Sequence, residues 1–320
     1  MNAPLALKPD PALIARAPTT KSAADLMARE FDPIAWLVPG LIPEGLMILA
    51  ARPKIGKSWL ALDLAIATSA GGTFLGRPVA GGEVLYLGLE DSDRRMAARI
   101  SKLGGAERDL RRLEYACEWP RGEFGAIAVG EWLDSHPAAR LVVVDVFAKL
   151  REASPSRETG YGTDYADVAM LKPQRPGVTV LLVHHSRKAD SEDAIDSVSG
   201  TLGIGGAADG VLVLKRARGE SEAELHLIGR DLEEEGQFSV RFDRDTCRWQ
   251  WLGDAWMVKV SAERRQAFDL LAAKPMKPHE LAKELGKTQE ATRMLVSRMV
   301  QDGLIDRGMD GRYRVIGGRS

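Results

Sequence analysis

The chain has 320 residues, 45% apolar and 28% charged, the balance of a folded, water-soluble protein with room for one large domain and a smaller one. No apolar run approaches the roughly 18 residues needed to span a bilayer. The two cysteines, Cys117 and Cys247, are too few and too far apart for a disulfide framework or a zinc site, so a cytoplasmic protein is expected. Net charge is −1, yet residues 261–320 carry 12 Lys/Arg against 8 Asp/Glu, leaving 32 against 37 elsewhere: a small basic module on a mildly acidic body.

Residues 1–30 open with "MNAPLALKPDPALIARAPTTKSAAD", where four prolines and no compact apolar block suit a flexible leader and not a secretory signal. From there to residue 258 strands and helices alternate. "GLMILAA" (45–51) predicts a buried strand, and "GKSWLALDLAIATSA" a helix with Leu60, Leu64 and Ala67 on one face. "GGTFLGRPVAGG" is a turn-rich connection. "EVLYLGLED" is a second strand ending in acids, followed by the charged helix "SDRRMAARISKLGG". A helix over "AIAVGEWLDSHP" precedes the strand "ARLVVVDVF", then comes a polar loop, "REASPSRETGYGTD". A short helix, "YADVAMLK", leads to the strand "VTVLLVHHS", and a second polar loop runs from Arg187 to Ser199. "DGVLVLKRA", "AELHLIGR", "QFSVRFD" and "CRWQWL" read as strands joined by hairpins. The alternation predicts an α/β fold with a mostly parallel central sheet, and the later hairpins an antiparallel extension. Residues 259–320 change character: three short helices and a hairpin predict a small α+β domain of winged-helix type.

The chemistry concentrates at strand ends. "ARPKIGKSW" delivers Gly56-Lys57-Ser58 from a buried strand into a helix, the setting in which backbone N–H groups and a helix N-terminus cradle phosphate. Residues Arg52, Pro53, Lys54, Ile55, Gly56, Lys57, Ser58 and Trp59 would form the loop, with Lys57 on the β/γ-phosphates of ATP and Ser58 on Mg²⁺. The motif departs from G-x-x-x-x-G-K-[ST] at its first glycine, replaced by Ala51, a substitution that is undemanding if φ there is negative and costly if it is positive. Asp145, ending "RLVVVD", is placed to hold the metal through water, and Glu90, ending "VLYLGLE", to activate the attacking water. Asp91 is expected to point away or to cap the next helix. His184 and His185 close a further buried strand, where one of them would hydrogen-bond the γ-phosphate.

Glu90, Asp145 and His185 at three strand ends after "RPKIGKSWLAL" resemble the RecA-like P-loop ATPase core. In particular the stretch from Trp36 to Leu252 is similar to hexameric RepA-type replicative helicases and related AAA-type ATPases of phages, plasmids and mobile elements. By that resemblance "VLYLGLEDS" is the catalytic-glutamate strand, "LVVVDVFAKLR" the Walker B strand and "VLLVHHSRK" the strand of a sensor, His185. "SVSGTLGIGGAADGVLVLKR" looks like the stretch after a DNA-facing loop, and "LHLIGRD" like the strand that offers a basic finger to the neighbouring subunit. Arg230 is then the finger candidate, with Lys215 and Arg216 behind it, although RepA-type relatives carry theirs near Ser199-Gly200. Pro173 and Pro176 also shorten a helix that relatives keep longer. The loops 151–163 and 187–199, with Arg187 and Lys188, correspond to loops facing DNA in a ring. The expected partners are thus DNA and further copies of the chain, a hexamer by preference, with no membrane.

In the tail, "QEATRMLVSRMVQDG" puts Met294, Leu295 and Met299 at core spacing. It would present Thr288, Gln289, Thr292 and Arg293 to a DNA groove, with Arg298 on the same helix and Arg312 and Arg314 on a wing. The expected function is an ATP-hydrolysing, DNA-associated replication ATPase or helicase. The alternative is a nucleotide-gated DNA-binding regulator that hydrolyses little.

Overall fold

The computed structural model describes residues 20–151, 161–185, 202–217, 219–230, 235–308 and 310–315. The chain divides into two compact units, Met1–Ile34 and Ala35–Ser320. In the first, a short helix α1 (Ala23–Met27) is capped by the Ser22 hydroxyl, which accepts from the Asp25 amide at 3.0 Å.

The second unit opens with a two-stranded pair, β1 (Trp36–Val38) and β2 (Ile42–Pro43), which leads into β3 (Gly45–Ala51). Helix α2 (Lys57–Ala70) follows, then a small hairpin of β4 (Thr73–Phe74) and β5 (Arg77–Pro78) within the turn-rich connection. Strand β6 (Glu83–Gly88), helix α3 (Asp93–Lys102), strand β7 (Leu113–Ala116) and helix α4 (Gly122–Ser135) come next. After β8 (Ala139–Asp145) stand two helices, α5 (Phe147–Leu150) and α6 (Tyr161–Ala169), then β9 (Thr179–His185) and α7 (Leu202–Ala207). Strands β10 (Gly210–Lys215), β11 (Glu222–Gly229), β12 (Gly236–Phe242) and β13 (Trp249–Asp254) complete the large sheet.

That sheet has nine strands in the order β13-β12-β11-β10-β3-β9-β8-β6-β7. Strands β10, β3, β9, β8, β6 and β7 are mutually parallel, and β11, β12 and β13 add to them antiparallel, as the sequence predicts. Alternate residues of β3 explain why it is apolar throughout: Met47, Leu49 and Ala51 enter one buried cluster with α2, while Leu46, Ile48 and Ala50 enter another with α4 and α6. A strand covered on both faces has no solvent side on which to place polar residues.

Several details depart from the pattern read in the sequence, among them the end of "ARLVVVDVF", where β8 stops at Asp145 and Phe147 opens α5. Helix α6 starts at Tyr161, so residues 161–164, read as the end of a polar loop, are helical. Strand β7, "LEYA", lies at the sheet edge, where a four-residue strand with Glu114 and Tyr115 turned outward gives no apolar run to notice.

Strand β13 runs directly into α8 (Ala255–Ala273), which begins before position 258. Helices α9 (Pro278–Glu284) and α10 (Gln289–Gln301) and the hairpin β14 (Ile305–Arg307) and β15 (Tyr313–Val315) follow. They share a core of their own built on Ala267, Leu271, Leu281, Val296, Met299 and Tyr313.

Candidate functional site

Register places the chemistry on one edge of the sheet. Ala51 pairs with His185, Val183 with Asp145, and Asp145 with Gly88, so β3, β9, β8 and β6 all end together. The chain leaves β3 through Arg52 to Ile55 and enters α2 at Lys57, with Gly56 as the residue before the helix in left-handed geometry (φ 110°). Gly56 and Lys54, which is also left-handed at φ 65°, therefore carry the conformational demand of the loop. Ala51 is still a strand residue, 1% exposed, and is not among the residues with positive φ. The first glycine of the motif is replaced where φ makes no demand for it.

Around this loop lies a cleft of about 380 Å³, lined by residues 53–59 together with Glu90, Arg99, His185, Arg216 and Phe242. Seven of the eight expected loop residues thus face it; Arg52 does not. Within it the Lys57 ammonium lies 2.5 Å from His185 Nδ1. The Ser58 hydroxyl donates to Asp145 Oδ1 at 3.2 Å, and the Tyr86 hydroxyl to Asp145 Oδ2 at 2.8 Å. Of the histidine pair it is thus His185 that reaches the lysine.

The electrostatics follow from burial. Lys57 is 4% exposed, and loss of hydration lowers its pKa to about 8 even though the charges of Asp145 and Glu90 pull it upward. Burial and the neighbouring Lys57 charge hold His185 below its usual value, so that it is a neutral acceptor at pH 7. Burial raises the Asp145 carboxyl, opposed by the hydrogen bonds from Tyr86 and Ser58. Tyr86 is pushed well above the ordinary phenol value, by burial first and by Asp145 second, and stays a donor.

Glu90 sits just beyond β6 with its side chain at the cleft. Asp91 does not cap α3: its carboxylate, 4% exposed, pairs with Arg99 at 2.5 Å and Arg95 at 3.3 Å. Arg99 in turn lies over the Trp59 ring at 5.5 Å. Further groups at or behind the cleft, Arg99 among them, have no signal in the sequence that assigns them there. Tyr86 is hidden in an apolar strand, although a buried tyrosine hydroxyl implies a partner. Phe242 and Trp249 arrive from the antiparallel strands. Arg216, read as a finger candidate, instead lines its own chain's cleft, stacked over Phe242 at 5.4 Å and Trp249 at 5.5 Å.

Arg230 lies at the other end of the sheet. Gly229 pairs with Gly210 at the start of β10, and the Arg230 guanidinium donates to the Gly206 carbonyl there. Lys215, at the end of β10, pairs in register with Glu224. Arg187, Lys188, Ser199 and Gly200 lie outside the described residues, as does the 152–160 part of the other expected DNA-facing loop.

In the C-terminal module Gln289, Arg293 and Arg298 are exposed on α10. Two expectations there are corrected. Thr292 is fully buried, its hydroxyl donating to the Thr288 carbonyl at 3.0 Å, and so cannot face a groove. Met294 is 56% exposed and not a core residue, because it falls one position outside the stripe formed by Leu295 and Met299. Arg312 and Arg314 are held by Glu280 and Asp306, each at 3.3 Å.

The donors around Ser58 suit magnesium: a hydroxyl and a carboxylate oxygen 3.2 Å apart, both hard ligands, beside an open cleft with room for water and phosphate oxygens. Among the described residues no group of three or more His, Cys, Asp or Glu side chains could hold a metal without such help. No helix among them is long and apolar enough to cross a membrane.

Residues 12–191 match the family described as AAA domain. No curated protein matches the sequence. Among solved structures the fold is similar to that of the ATPase domain of G40P, at 14% identity and a TM-score of 0.50, covering 65% of this chain and 85% of that one. A DnaB-like replicative helicase, solved with its interactions with primase, matches at 13% identity and a TM-score of 0.49, over 64% of this chain and 57% of that one. A KaiC-like protein of Pyrococcus horikoshii OT3 matches at 14% and 0.45, over 68% and 99%. The nine-stranded sheet with its loop at the end of β3 is thus a RecA-like P-loop fold.

Proposed function

Since the chain belongs to the AAA domain family, we propose that it is a magnesium-dependent ATPase that acts on DNA as a homo-oligomer, in the manner of RepA-type replicative helicases. The observation that carries this reading is the convergence of Lys57–His185 and Ser58–Asp145, with Glu90 beside them, on one phosphate-binding loop. A loop alone would bind phosphate; a loop with a metal-placing acid and a second carboxylate has the parts for hydrolysis.

Each residue's task follows from its surroundings. The backbone amides at the start of α2 would receive phosphate oxygens, and the Lys57 ammonium would move from His185 Nδ1 onto them. Ser58 would hold magnesium directly and Asp145 through water, and the ion would supply charge neutralisation on the phosphates. Tyr86 fixes the Asp145 carboxylate so that Oδ1 faces Ser58. Glu90 would take the proton of the attacking water. His185, released by Lys57, would bond the γ-phosphate and report its departure. Arg230 would serve the cleft of the next protomer, a role for which its distance from its own cleft is suitable.

The C-terminal module, read as a winged helix, would bring Gln289, Arg293 and Arg298 to DNA. That exposed face also supports the second reading, a nucleotide-gated regulator with slow hydrolysis. One experiment separates them: ATPase rate with and without single-stranded DNA, read alongside native mass, for wild type and Glu90→Gln. A DNA-stimulated oligomer whose Glu90→Gln variant binds ATP but turns over about 10²–10⁴-fold more slowly supports the motor. A DNA-indifferent monomer overturns it.

A further inference from the structure

The antiparallel strands do more than extend the sheet. The turn between β12 and β13 is stiff: the Asp243 amide donates to the Arg248 carbonyl at 2.8 Å, and Asp243 Oδ1 accepts from the Asp245 amide at 2.9 Å. It delivers two neighbouring residues onto α2. Arg248 pairs with Asp63 at 3.2 Å and donates to the Leu103 carbonyl at 2.5 Å. Trp249, 4% exposed, donates its indole N–H to the Gly56 carbonyl at 3.1 Å.

That carbonyl also accepts the Leu60 amide at 3.1 Å, so it has two donors, one from the helix and one from a strand 193 residues away. Its peptide partner is the Lys57 N–H. In a trans peptide the carbonyl and the N–H point in opposite directions, so anchoring the first aims the second. As the first helical residue, Lys57 has no acceptor for its amide within the helix. The same ring packs on the loop: a Cβ at Gly56 would stand 3.3 Å from Trp249 Cζ2 and 3.4 Å from Phe242 Cε2.

We propose that Trp249 is a positioning residue of the phosphate loop, whose indole N–H holds the Gly56–Lys57 peptide with its amide aimed at the phosphates. The inference rests on the ATPase reading above. Neither the family match, which ends at residue 191, nor the loop motif includes position 249.

The test uses the full-length protein with Mg²⁺, titrated with ADP and separately with pyrophosphate. Trp249→Phe keeps an aromatic ring and removes the donor. It should weaken both ligands about fivefold, the loss of one neutral hydrogen bond. It should also raise KM for ATP without lowering kcat, as loss of uniform binding does. Because the bond is already made in the ligand-free fold, its loss should also lower the unfolding midpoint. The readout that a merely structural role would not move is the raised KM at unchanged kcat, together with weaker ADP and pyrophosphate binding by the fully folded variant. Trp251→Phe, two residues along on the same hairpin, should bind as wild type. If Trp249→Phe does not fold, benzothienylalanine at position 249 keeps the bicyclic shape and removes only the N–H. Wild-type affinity in a folded variant lacking the donor overturns the inference alone, provided that wild type binds ADP and Lys57→Ala does not. A wild type without Lys57-dependent ADP binding overturns the ATPase reading and this inference with it.

Discussion

Lys57 is the residue on which pH should act with two opposite signs. Its folded pKa is about 8 against an ordinary lysine value of 10.5, so between those values the unfolded chain holds a proton that the folded chain has lost. Stability of the ligand-free protein should therefore rise from pH 8 to 10.5, the cost of the buried ammonium being fully present below pH 8. Nucleotide binding needs the ammonium, so ADP affinity should be flat below pH 8 and fall by up to about tenfold per pH unit above it. Calorimetric titration and thermal melts across this range, with Lys57→Met flattening both profiles, check the pair of signs. Ala51 gives a second residue-scale expectation. As a buried strand residue its methyl packs in the core, so Ala51→Gly should cost about 1 kcal/mol in denaturant unfolding and bring no gain in ADP affinity. The strand-end groups were legible because an apolar run that stops at Glu90, Asp145 or His185 announces both the strand and its polar end. Arg216, Phe242 and Trp249 were not, because nothing local says which antiparallel strand returns to the loop.

At the scale of elements, apolar strands and the helix behind the phosphate loop are legible directly, as is the edge strand β13 with its tryptophans, whereas short elements without an apolar run are not. Strand β7 has four residues and an outward Glu114, which is occupied by the Trp132 indole at 2.8 Å; a sequence window sees only a charged stretch. The start of α6 was obscured because "GYGTD" carries turn-forming residues while its helix is held by contacts with α7. In α10 the apolar spacing marks the helix but not its phase: Thr292 is buried and Met294 exposed, the reverse of what that spacing predicts. Thr288 begins that helix, its hydroxyl accepting the Ala291 amide at 3.3 Å. Thr288→Ala should lower the stability of the C-terminal module by about 1 kcal/mol, read by hydrogen exchange in α10, and leave ADP binding unchanged.

At the scale of the molecule, the sheet separates two cores and carries its reactive groups on one edge, while Arg230 sits at the other. On the proposed reading Arg230 is a finger that serves another copy of the chain, and that gives a complementation test. Lys57→Ala and Arg230→Ala should each be inactive. Mixed as equal subunits, they should recover about a quarter of wild-type ATPase, because in a head-to-tail ring that fraction of interfaces joins an intact loop to an intact finger. No recovery on mixing, after subunit exchange is verified by native mass spectrometry, removes Arg230 from the role.

The bond between Trp249 and Gly56 has one more consequence, which concerns time. The phosphate loop leaves the ribosome 193 residues before the ring that anchors it. At roughly 5–20 residues per second that is an interval of about 10–40 s in which α2 has formed no contact with its own clamp. During that interval a nucleotide has only an unfinished cradle to bind. Until the last strand of the sheet has been made, the proposed nucleotide would bind about fivefold more weakly, so ligand binding would favour the completed domain over the nascent one by that factor.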